Sequence, residues 1–169
     1  MKHLTIFTAF IIFSTISTYA CDCECPDDCS FNVISNTHNF VALVKVISYD
    51  DYLEHEIIGY DDRMPYSMTV EIIKKYKGSE SKKTIKIWGD NGMLCRPYIV
   101  HFKIGEFYLI APRMLGDYKM EIESPNDYDF FSCSTDFLKV DMDKEVALGE
   151  YSKEKNEIKL SDFEHRLVK

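Results

Sequence analysis

At 169 residues, with 28 acidic against 20 basic side chains and a formal net charge of −8, the chain is long enough for one domain with a real core. The acidic balance disfavours a phosphate backbone as partner, because that affinity comes from clustered Lys and Arg, so nucleic acid is excluded from the expected partners. Beyond the first residues, no segment is long and apolar enough to cross a bilayer, so no membrane span is expected.

Residues 1–20 carry one charged side chain, Lys2, then an apolar run from Leu4 to Phe13 and a small, polar stretch ending at Ala20. This is the layout of a secretory signal peptide, with Thr18 and Ala20 at the two positions a signal peptidase reads. Cleavage after Ala20 would make Cys21 the first residue of a secreted, extracytoplasmic protein and, by removing Lys2, make the charge one unit more negative. A lipoprotein signal would modify the same cysteine, but it prefers Leu near position 18 and a small residue at 19, where this chain has Thr18 and Tyr19. A lipid anchor on Cys21 is therefore the second reading.

The mature chain opens with four closely spaced cysteines, Cys21, Cys23, Cys25 and Cys29, followed far downstream by Cys95 and Cys133. An even count in an exported chain reads as disulfides rather than as a thiolate metal site, and the spacing alone leaves the pairing open.

Ser30 to His38 is expected to form a short helix with Phe31 and Ile34 inward. Asn39 to Tyr49 is a nearly continuous β-branched and aromatic run, the signature of a central strand. Tyr66 to Lys77 alternates and closes at Gly78-Ser79, and Thr84 to Trp88 alternates until the turn formers Gly89-Asp90-Asn91-Gly92. Glu106 to Ala111 is a fourth strand closed by Pro112, and Asp117 to Glu123 alternates Tyr118, Met120 and Ile122 against Lys119 and Glu121 as a fifth. Asp141 to Asn156 is charged and weakly periodic, which reads as a surface excursion. Ser161-Asp162-Phe163-Glu164 has capping-box spacing, so a short terminal helix is expected from Phe163 to Val168.

Five strands without a long helix between them must curl to protect their edges, which predicts an all-β domain over residues 21–140. A small barrel with short flanking helices fits best. Residues 141–169 form a charged C-terminal extension in this reading.

The Cys21-Asp22-Cys23 opening, the Tyr76-Lys77-Gly78 turn, Cys95 and the Cys133-Ser134 pair together resemble the inhibitory domain of the tissue inhibitors of metalloproteinases and the wider netrin-like group. The resemblance covers Cys21 to about Asp136 and implies a five-stranded Greek-key barrel of the oligonucleotide-binding type (OB-fold), with disulfides Cys21–Cys95 and Cys23–Cys133. The family's third N-terminal cysteine pairs near the end of the domain, but no cysteine follows Cys133 here, so Cys29 is expected to close on Cys25.

The implied chemistry is chelation of a protease's catalytic zinc by the α-amine and carbonyl oxygen of Cys21, displacing the water such a site holds. Asp22, Cys23, Met93, Leu94 and Cys95 would form the inhibitory ridge around it. Asp22 departs from the small hydroxyl residue of the inhibitors, and an unpaired carboxylate in an apolar pocket costs several kcal/mol, so a target pocket with Arg or Lys is implied. The competing reading is a secreted or lipid-anchored non-enzymatic binding module on the same scaffold.

An enzyme is not expected: His-Glu-x-x-His, Gly-x-Ser-x-Gly and phosphate-loop patterns are absent from the sequence. No cofactor and no resident metal are expected either. The acidic pairs Asp27-Asp28, Asp50-Asp51 and Asp61-Asp62 lack calcium-loop spacing, His55 has no second His nearby, and His101 lies in an apolar stretch suited to a core or edge role.

Overall fold

The computed structural model describes residues 21, 23, 28–57, 59–60 and 63–167. Helix α1 (Phe31–Thr37) precedes strands β1 (Val41–Tyr49), β2 (Ser67–Lys77), β3 (Thr84–Trp88) and β4 (Phe107–Ile110). Strands β5 (Arg113–Met114), β6 (Tyr128–Asp129), β7 (Phe137–Asp141), β8 (Val146–Ser152) and β9 (Lys155–Lys159) follow, and helix α2 (Leu160–Leu167) ends the described chain. The protein is mainly β, with its strands in one sheet ordered β5-β6-β3-β2-β1-β4-β7-β8-β9.

β1 is the hub, paired antiparallel with β2 on one side and with β4 on the other. Its nearly continuous apolar sequence is needed because both of its faces are covered. Ala42, Val44 and Val46 enter one core with Met68, Val70, Ile85, Ile87 and Phe102, while Val41 and Leu43 enter a second core beneath α1, α2 and β7–β9. β3 continues to β6 through a parallel pair, and β6 pairs antiparallel with β5. Only Ala111 and Pro112 separate β4 from β5, so one short stretch of chain pairs with β1 at its start and with β6 at its end.

The Tyr76-Lys77-Gly78 turn is locally required. Gly78 has φ +94, and a Cβ there would lie 2.6 Å from the Asn39 carbonyl oxygen, so only glycine lets the β2–β3 hairpin fold back against the start of β1.

Several sequence expectations are corrected. Asp117 to Glu123 is not a strand: Gly116–Tyr118 is a 3₁₀ turn, the Tyr118 amide donates to the Leu115 carbonyl, and the Met120 amide donates to the Glu123 carboxylate. The alternating Tyr118 and Ile122 bury nothing, being 91% and 64% exposed. The segment expected as a surface excursion instead contains β8, hydrogen-bonded to β7, with β9 beyond it. Ala147 and Tyr151 of β8 and Ile158 of β9 enter the second core while Met142 and Leu148 stay exposed, and a register shift between Leu148 and Ser152 hides the periodicity. Finally, α2 begins at Leu160, which places Ser161 inside the helix rather than at its cap. Phe163 docks the helix against Phe31 and Tyr76.

Asp50 and Asp51 join β1 to β2. Asp50 accepts from Ser48 and Thr69, and Asp51 accepts from Ser67 and Lys86. His101 is exposed on a 3₁₀ turn, not buried in the core. No helix among the described residues is long and apolar enough to cross a membrane.

Candidate functional site at the stapled N-terminal edge

Two disulfides fix the start of the described chain. Cys21 is bonded to Cys95 in the loop after β3, and Cys23 to Cys133 in the loop between β6 and β7, with Cα separations of 5.8 and 5.2 Å. Cys21 and Cys23 are themselves exposed. Asp22 and Cys25 lie outside the described residues, so the expected role of Asp22 and the Cys25–Cys29 closure do too; Cys29 is in a disulfide.

The two loops that receive the staples are joined to each other, since the Ser132 amide donates to the Cys95 carbonyl at 2.8 Å. The Cys29 carbonyl accepts from the Thr135 amide, also at 2.8 Å, which fastens the N-terminal segment to the second loop by a further bond. Buried Asp136 holds that second loop by accepting from the Phe131 amide (2.7 Å) and the Ser134 hydroxyl. Burial pushes the Asp136 carboxyl above its ordinary value, against the pull of these two donors.

The first loop is closed by Asp90, whose carboxylate accepts from the amides of Gly92 and Arg96. Within it, Cys95 has φ +54, a conformation that non-glycine residues adopt uncommonly and that the surrounding bonds must hold. The strongest of those holds is Arg96. Its guanidinium donates to Glu123 (Nη1–Oε1 2.5 Å) and to Asp129 (Nε–Oδ2 2.8 Å), and Asp129 also receives Arg113 at 3.0 Å. Tyr66 donates its hydroxyl to Glu123 at 2.6 Å.

Arg96, Glu123 and Asp129 are each at most 5% exposed, so the charges would be costly to leave unpaired. Burial would push Glu123 up, but hydrogen bonds from Arg96, Tyr66 and the Met120 amide hold its carboxyl below its ordinary value. Burial likewise pulls the Arg96 guanidinium down, and the two carboxylates more than offset this. Sequence reading missed this network because its members stand 27 and 33 residues apart with no repeating spacing; the one local signal is an arginine directly after a disulfide cysteine.

Of the expected ridge, Met93 is 77% exposed and Leu94 half-buried beside Cys95. Leu94 also lines a cleft of about 390 Å³ with Met114, Tyr118 and Phe131, and the Arg113 guanidinium lies over the Phe131 ring at 5.0 Å. The structure therefore places Cys21, Cys95, Met93 and Leu94 at one edge, with Cys23 tied to the neighbouring loop. The described residues contain no cluster of three or more His, Cys, Asp or Glu able to hold a metal ion. Chemically, such an edge offers backbone polar groups and apolar side chains on a rigid support.

Comparison of the chain with protein-family models and with curated proteins returned no match.

Proposed function

We propose that this chain is an exported, non-enzymatic inhibitor that blocks a zinc metalloprotease by presenting the α-amine and carbonyl oxygen of Cys21 to the catalytic zinc. The observation that carries the reading is the double staple: Cys21 and Cys23 are exposed yet bonded to two loops that are themselves hydrogen-bonded together. An N-terminus fixed before binding avoids the ordering cost that a free segment would incur on association. Cleavage after Ala20 would free the amine, which titrates near ~7.7–8.0 in unperturbed form and so is partly neutral at physiological pH.

The wider likeness to the metalloproteinase inhibitors belongs to the same proposal. It is supported by the strand pairings, because the run β6-β3-β2-β1-β4 with β4 leading into β5 and β5 returning to β6 is the order expected of a five-stranded Greek-key barrel. Met93 and Leu94 would line the protease's cleft on either side of the zinc, and Asp22 would select a target pocket that offers Arg or Lys.

A second reading, a secreted or lipid-anchored binding module, is favoured by the exposure of Tyr118 and Ile122, which lie outside the stapled segment. The test is a panel of zinc proteases assayed with mature protein beginning at Cys21 and with a variant carrying one extra alanine before it. The expected result is inhibition by the first and none by the second, with disulfides and circular dichroism unchanged. Inhibition that survives the added alanine, or none by either protein, would overturn chelation and leave the binding module.

A further inference from the structure

The charge of this acidic chain is unevenly placed. Residues 74–86, the end of β2, its turn and β3, hold six lysines and one glutamate in a protein of net charge −8. Two of the six are neutralised, Lys74 by Glu164 at 2.7 Å and Lys86 by Asp51 at 2.8 Å. The other four are not. Lys75 donates to the Glu80 carbonyl (2.6 Å) and Lys77 to the Asn36 carbonyl at the end of α1 (2.7 Å), so both ammonium groups are fixed in place without losing their charge. Lys82 and Lys83 at the turn are exposed and form no ion pair among the described residues.

The one acid within the hairpin, Glu80, accepts from the Lys82 amide and from the Tyr128 hydroxyl, both at 2.9 Å, and its charge acts on Lys82, so the four unpaired ammonium groups exceed it by three. Against this hairpin lies a cleft of about 580 Å³ whose other wall includes Thr37, His38 and Asn39, with Ser79 and Ser81 on the hairpin side. Glu80 and Arg113 line it too, and two of the unpaired ammonium groups stand beside it, Lys75 on the Glu80 carbonyl and Lys77 on the Asn36 carbonyl next to Thr37.

We propose that the β2–β3 hairpin and this cleft bind a sulfated polysaccharide. The inference rests on the export part of the function proposed above and is independent of zinc chelation. A linear polyanion fits because the lysines track along a hairpin, where a flexible sulfated chain can follow them, and because the chain outside residues 74–86 is strongly net acidic, which favours this strip over the rest of the surface. Counterion release supplies the affinity, and the Ser79 and Ser81 hydroxyls and the Asn39 amide group of the cleft donate to sulfate oxygens.

Binding is measured on immobilised heparin with the full mature protein at graded NaCl, against Lys75→Gln/Lys82→Gln/Lys83→Gln and a control, Lys153→Gln/Lys155→Gln, on the β8–β9 turn at the other end of the sheet order. The expected result is retention at ~0.15 M salt, a loss of affinity of roughly tenfold or more and a salt slope smaller by about 2–3 in the triple variant, and no change in the control. Absence of retention, or equal retention of triple variant and wild type, would overturn the proposal. So would equal retention on hyaluronan, which carries carboxylates but no sulfates, or binding to phosphatidylserine vesicles without retention on heparin. The extra-alanine protein should bind heparin normally and the triple variant should inhibit normally, so failure of one proposal is distinguishable from failure of the other.

Discussion

Arg96 and Glu123 form a two-pronged ion pair across 27 residues of sequence, with Nη1–Oε1 at 2.5 Å and Nη2–Oε2 at 3.2 Å and both side chains almost wholly buried. Because Arg96 directly follows the disulfide cysteine Cys95, this pair holds the loop to which Cys21 is bonded. A buried pair of this kind is costly to break from one side, since the remaining charge has neither water nor partner. Arg96→Met is expected to lower the unfolding free energy by about 3–5 kcal/mol in urea titration. Arg96→Met combined with Glu123→Gln should cost less than the sum of the single changes, which a double-mutant cycle reads directly.

The acid limb of the stability profile follows from Glu123. Its folded-state carboxyl lies below the ordinary value, so the stabilisation it contributes is present above the unfolded-state pKa of ~4.3 and is lost as pH falls through the depressed folded value. Asp136 has the opposite sign. Its raised carboxyl favours the folded state most below the unfolded-state pKa of ~3.9, and that contribution disappears as pH rises through the raised folded value. Urea midpoints measured from pH 3 to pH 7 should therefore rise less steeply with pH in Glu123→Gln than in wild type and more steeply in Asp136→Asn.

Both staples close long stretches of chain, 74 residues for Cys21–Cys95 and 110 for Cys23–Cys133. Loop-closure entropy in the unfolded chain makes each worth about 4–5 kcal/mol in the simplest model, the longer slightly more. Cys23→Ser/Cys133→Ser should lower the urea midpoint while leaving Cys21–Cys95 intact by non-reducing peptide mapping.

Gly78 carries a distinct cost. Ala at this position would need φ +94 and a Cβ 2.6 Å from the Asn39 carbonyl, and backbone at that distance cannot yield as a flexible side chain would. Gly78→Ala is expected to destabilise by roughly 1–3 kcal/mol in thermal or urea unfolding, whereas Gly105→Ala, at φ +87 with nothing within 4 Å, should cost less.

Local pattern alone identified α1 and strands β1 to β4, because each carries an alternating or continuous apolar run bounded by turn formers. The sequence also singled out the cysteines, as chemistry bound to residue type. It misplaced the fifth strand, because Tyr118, Met120 and Ile122 alternate without a surface to bury against, and it overlooked β6 because two residues carry no periodicity. The β8–β9 pair was hidden by charge, since its outward face is polar and its inward face holds few apolar residues. What only the tertiary structure decided is which distant groups meet. Arg96, Glu123 and Asp129 become one buried network, and Lys75, Lys77, Lys82 and Lys83 become one strip with positive charge in excess, because the fold fixes which ammonium finds a carboxylate and which finds a carbonyl. Pairing energies depend on distance and burial in space, and a sequence states neither.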